Sequence, residues 1–87
     1  MKRLTVLKKP MSRRKLKAAY MKSERISFIF PVTIGDLLGA TIDGLNNRVE
    51  EACVGDNCFM FENIAYVPVE VRKNIILIEV SANLEAV

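Results

Sequence analysis

Residues 11–25 read MSRRKLKAAYMKSER, and they set Arg13, Arg14, Lys15, Lys17, Lys22 and Arg25 against a single acid, Glu24. Side chains of these types make and break no bonds on their own. They present fixed positive charge, and the chemical group that most often answers it is phosphate. A segment that neutralises several phosphates releases their counterions, which gives affinity that is indifferent to sequence and steep in salt. Lys8 and Lys9 lie just upstream and add to the same field. These six side chains are the candidate nucleic-acid-binding residues, with RNA or DNA as the expected partner. The alternative occupant of so basic a segment is an acidic protein surface, either on another protein or on a second copy of the chain.

Other chemistry is thinly provided. The chain has no histidine, so the commonest general base and metal ligand is missing, and no nucleophile elbow, phosphate-binding loop or dinucleotide fingerprint occurs. A non-enzymatic protein with no cofactor and no metal is expected. Cys53 and Cys58 are too few for a disulfide framework. Four residues apart, they raise the question of a redox pair, but Cys53 falls on an apolar arc and core packing is its expected role. Asp36, Asp43 and Glu50 recur every seven residues. On one helix they would form an acidic ridge, with neighbours separated by about 10 Å at roughly 1.5 Å per residue. That is too far to share an ion, so the ridge reads as a solvated face on which a basic helix could dock. Phe59 and Phe61 alternate as strand residues do; base stacking is conceivable for such a pair, and packing under a helix is expected instead.

The segments DGLNN and GDNCFMFENIAYV resemble parts of the two signature segments of Sm-like RNA-binding rings at Asp43, Asn47, Asn63 and Ile64. Met60 and Phe61, however, stand where that family carries arginine and glycine, and a helical period occupies a region where it needs strands. No family is assigned on these residues.

Charge is divided along the chain as sharply as chemistry. Residues 1–25 hold ten Lys or Arg and one acid, whereas residues 26–87 hold three Lys or Arg and nine acids, so a net +3 conceals halves of +9 and −6. The expected organisation is a basic N-terminal arm or helix over 1–25 followed by one compact α+β domain over 26–87. Eighty-seven residues can bury only a modest core, so self-association is expected. Residues 26–42 are largely apolar but are interrupted by Pro31, Gly35, Asp36 and Gly39 and fall short of a membrane span. No membrane partner is expected. Two free thiols suit a reducing cytoplasm, although a basic, acid-poor head is also the composition of an organellar presequence.

The elements that must position these residues follow from periodicity. RLTVL (3–7) suggests a short strand. From Ser12, a candidate N-cap, Leu16, Ala19 and Tyr20 fall on one narrow face of a helix whose remaining surface is basic. ERISFIF alternates as a strand, with Pro31 as its expected end. Thr33 then caps a helix predicted to run over 33–54, its apolar arc comprising Ile34, Leu37, Leu38, Thr41, Ile42, Leu45, Val49, Ala52 and Cys53, with Gly55 as its C-terminal glycine. CFMFENIAYVPVEV and NIILIEVSA, separated by a short turn, predict a hairpin. The resulting order after the basic segment is β-α-β-β, a central amphipathic helix on a small, mainly antiparallel sheet. The sheet's second face would need cover from the basic helix or from another copy.

Overall fold

The computed structural model describes residues 5–56 and 58–87. It is a small α+β fold whose elements run α1 (Arg13–Met21), β1 (Ile26–Thr33), α2 (Ile34–Gly39), α3 (Ile42–Val54), β2 (Phe59–Arg72) and β3 (Ile75–Ala86). The three strands form one antiparallel sheet in the order β1-β3-β2, so the last strand in sequence lies in the middle. Alternation decides which side chains are buried. Phe28 stands opposite Val80 and Ile26 opposite Ala82 across β1 and β3, while Phe61 stands opposite Leu84 across β2 and β3. All six are buried in one core cluster.

Leu45, Val49 and Cys53 of α3, spaced by four, lie over this face, and Val49 and Cys53 have no exposed surface. Leu16 of α1 is also fully buried and belongs to the same cluster. Both helices therefore cover one face of the sheet, and the apolar core takes a side chain from the basic segment as well as from residues beyond Ile26. Burying a leucine of this kind contributes about 1.5–3 kcal/mol. On the opposite face Ser27, Pro31 and Val67 are exposed, and Leu77, Glu79 and Ser81 are half-buried. The expectation that the basic helix would cover this second face through Leu16 and Tyr20 is thus corrected: α1 spends Leu16 on the face that α3 already covers.

Two further expectations change. The single helix over 33–54 is two helices. Ala40, at φ −89° and ψ 144°, is extended, and Thr41 begins afresh as an N-cap whose hydroxyl accepts from the Gly44 N–H. Thr33 caps α2 in the same way, accepting from Asp36 N–H. Glycines at 35 and 39 do not serve a close backbone approach within the chain, since a Cβ at either would meet open space. At Gly55 the opposite holds: φ is +61°, and a Cβ there would sit 3.3 Å from the ring of Pro10. The second change is that β1 runs through Pro31 to Thr33. Ile29 directs its N–H and C=O away from β3, toward Thr5 and Leu7. Pro31, two residues on, turns its nitrogen to that same outer side, so no bond to β3 is lost.

The expected N-terminal strand is reduced to a parallel bridge between Val6 and Ile29. Arg3 and Leu4, which that expectation included, lie outside the described residues, as does Asn57 of the turn before β2. Among the described residues no helix is long and apolar enough to cross a membrane.

Candidate nucleic-acid interface

The basic helix is held at several points. Ser12, extended at ψ 149°, accepts from the Lys15 N–H at 3.2 Å and opens α1, and Lys22 closes it. Upstream, Leu7 N–H donates to Ile29 C=O at 2.8 Å and Met11 N–H donates to Cys53 C=O at 2.8 Å, tying the lead-in chain to β1 and to the end of α3. Near the other end of α1, the Tyr20 ring packs against Phe59 with centroids 5.5 Å apart. A short helix with poor intrinsic hydrophobicity is thereby fixed on the body mainly through Leu16, leaving most of its circumference in solvent.

Arg13, Arg14, Lys15, Lys17 and Lys22 are all exposed. They divide between two sides of the helix. Lys15 and Lys22, together with Lys8, Lys9 and Arg25, line a groove of about 780 Å³ that runs between residues 5–11, α1 and the start of β1. Among the described residues its lining contains one carboxylate, Glu24. Arg13, Arg14 and Lys17 do not line it and project from the remaining surface of α1.

Arg25 differs from the other five. Its Nη1 donates to Asn83 Oδ1 at 2.8 Å, and its Nη2 reaches Asn63 C=O at 2.7 Å, Ser81 C=O at 3.0 Å and Ser81 Oγ at 3.2 Å. The guanidinium therefore clips the chain between α1 and β1 onto β2 and β3. Its donors are thereby engaged within the molecule, by residues that do not line the groove.

The electrostatics of α1 run against its own stability. Its first turn carries Arg13, Arg14 and Lys15 and no acid. That turn is the positive end of the helix macrodipole, where each charge of the same sign costs about 0.3–1 kcal/mol at low salt. Anions placed beside these side chains would offset that cost. Lys15 also acts on Cys53: burial pushes that thiol up to about 12, and the nearby ammonium opposes the rise. Cys53 is buried and Cys58 exposed, and both are free thiols.

The acidic ridge expected from Asp36, Asp43 and Glu50 does not form. The break at Ala40 puts Asp36 on a separate helix, where it lies 3.8 Å from Arg48, and Glu50 turns inward to accept from the Phe61 N–H. Phe61 is buried against Phe28, and Phe59 is half-buried against Tyr20, so neither ring offers a free stacking face. Among the described residues no three or more Cys, Asp or Glu side chains are grouped to hold a metal ion. The groove wall built by residues 5–11 was not readable beforehand, because a single bridge to Ile29 has no period to betray it.

Comparison with family models, with curated proteins and with solved structures gives no match, so a functional reading rests on the residues themselves.

Proposed function

We propose that this chain is a small non-enzymatic nucleic-acid-binding accessory or regulatory protein that contacts phosphates through its basic N-terminal segment. The observation that carries the reading is the concentration of exposed cations on α1 and along the adjoining groove, with Glu24 as the opposing charge. A helix fixed to the body chiefly through Leu16, with Ala19 and Tyr20 beside it, has little packing role for its exposed lysines and arginines. Three of them also destabilise its first turn.

The test is a salt titration of binding. Engagement of about six phosphates gives a log–log slope near −5 on duplex DNA and a shallower one on a single strand. Replacing Arg13, Arg14, Lys15 and Lys17 together with alanine should weaken binding to every sequence and flatten the slope. The fold should survive, since all four side chains are exposed. Absence of binding at low salt, or a quadruple variant that binds like the parent, overturns the reading.

A second reading, self-association or docking on a protein partner, draws on a different observation. Val67, Val69 and Val71 of β2 and Leu38 and Ile42 at the α2–α3 junction are all more than half exposed. The register shift between Pro68 and Glu70 sets Val67 opposite Glu79 and Val71 opposite Ile76, on different faces of the sheet, so a second copy would cover part of this apolar surface.

A further inference from the structure

The layout of α1 points beyond phosphate contact to the kind of nucleic acid it fits, an inference that rests on the nucleic-acid reading above. At about 100° per residue, the side of α1 directly opposite the buried Leu16 carries Arg14, Ala18 and Met21. All three are exposed, Met21 at 70%, and Ala18 also lines the basic groove, so the ridge and the groove adjoin there. Lys15 and Lys22 flank this ridge on the side of the groove, where Lys8 and Lys9 extend the basic wall. Lys17 flanks it on the other side, with Arg13 beyond it, about 60° from Leu16 and nearer the body. The helix thus presents one outward ridge with a row of cations along each edge.

A helix with its side chains is about 10–12 Å across, and the major groove of B-form DNA is about 12 Å wide. With the ridge directed inward, each row of cations meets the phosphates of a different strand. We propose that α1 is a major-groove reading helix for B-form duplex DNA, with Arg14, Ala18 and Met21 toward the base edges and Lys15, Lys22, Arg13 and Lys17 on the two backbones. The ridge has the chemistry for that position. Arginine pairs with guanine O6 and N7, while small and apolar side chains meet the thymine methyl. Arg14 also lies in the first turn, from which reading helices contact bases. Nine residues at about 1.5 Å each cover roughly four base pairs.

The alternatives fit less well. Double-stranded RNA has a deep, narrow major groove closed to a helix. Single strands are held largely by aromatic stacking, and among the described aromatics Phe28 and Phe61 are buried, Phe30, Phe59 and Tyr66 are half-buried, and the exposed Tyr20 is packed on Phe59.

The proposal is tested by anisotropy titration of the full chain at fixed salt with a DNA duplex, an RNA duplex of the same sequence and a single DNA strand. Each titration is repeated with netropsin as a minor-groove competitor and methyl green as a major-groove competitor. The DNA duplex should bind at least tenfold more tightly than the other two, and methyl green alone should displace the protein. A randomised duplex pool enriched by the parent should yield a short consensus containing guanine. Arg14→Ala should lose that enrichment with little change in salt slope, whereas Arg13→Ala should weaken all sequences alike and reduce the slope by about one. Equal binding to all three nucleic acids, displacement by netropsin, or a guanine preference unchanged in Arg14→Ala overturns the major-groove assignment and leaves phosphate binding standing. Failure to bind any of the three at low salt overturns both.

Discussion

Arg25 and Lys15 carry the same formal charge and both border the basic groove, yet they are placed for different work. The Arg25 guanidinium is engaged by Asn63, Ser81 and Asn83, whereas Lys15 stands exposed beside the first turn of α1. Arg25→Ala should therefore destabilise the fold by about 1 kcal/mol, because it removes charge-assisted bonds at an exposed site. It should shift the urea midpoint more than it shifts the salt slope of binding, and Lys15→Ala should do the reverse. A second residue-scale effect concerns Glu62. Glu62 pairs with Asn83 and Met60 with Glu85, which makes the two carboxylates diagonal neighbours on adjacent strands. The hydrogen bond to Glu85, and then its negative charge, raise the Glu62 pKa. A raised carboxyl means that the folded chain retains a proton which the unfolded chain has released. Its contribution is thus present at acid pH and declines as pH rises from the ordinary glutamate range through the raised value. Urea midpoints measured between pH 4 and 7 should accordingly fall, relative to those of Glu62→Gln, as pH increases.

At the scale of elements, Thr41 is a residue whose role changed between sequence and structure. On the apolar arc it looked like one more inward position of a long helix. Its hydroxyl in fact starts α3, so Thr41→Ala should cost about 1 kcal/mol, read as a lowered thermal or urea midpoint. The reason the break was hidden is physical. Two helices in tandem separated by the extended pair Ala40 and Thr41 leave the 3, 4 and 7 spacing unbroken in sequence, although Leu38 and Ile42, on either side of the gap, turn out to be exposed. The signal that could have exposed it is local: TIGD at 33–36 and TIDG at 41–44 are nearly the same cap sequence, eight residues apart. By contrast, the antiparallel hairpin was legible from its β-branched and aromatic runs, and Cys53 and Phe61 proved buried as their spacing implied. Of the candidate site, the cations were legible by type. Their division into two rows was not, because it depends on Leu16, with Ala19 and Tyr20 beside it, fixing which side of α1 faces the core.

For the molecule as a whole, valines 67, 69 and 71, together with Leu38 and Ile42, leave apolar surface in water. If a second copy covers it, sedimentation at tens of micromolar should give twice the monomer mass, and Val69→Lys should return the protein to monomer with its fold intact. A monomer mass in the parent would set that reading aside. The position of β3 between β1 and β2 governs something else, the order in which the sheet can assemble. β2 meets β3 across a short turn at Lys73 and Asn74, whereas Ile26 must find Ala82 after most of the described chain has intervened. Closing the long loop loses more entropy than closing the short one. The hairpin is therefore the early structure on the path, and β1 docks onto its exposed edge afterwards, bringing Leu7 and the lead-in to α1 with it. Refolding kinetics should carry that signature: a truncation at Val80 slows folding, whereas one at Val32 chiefly hastens unfolding.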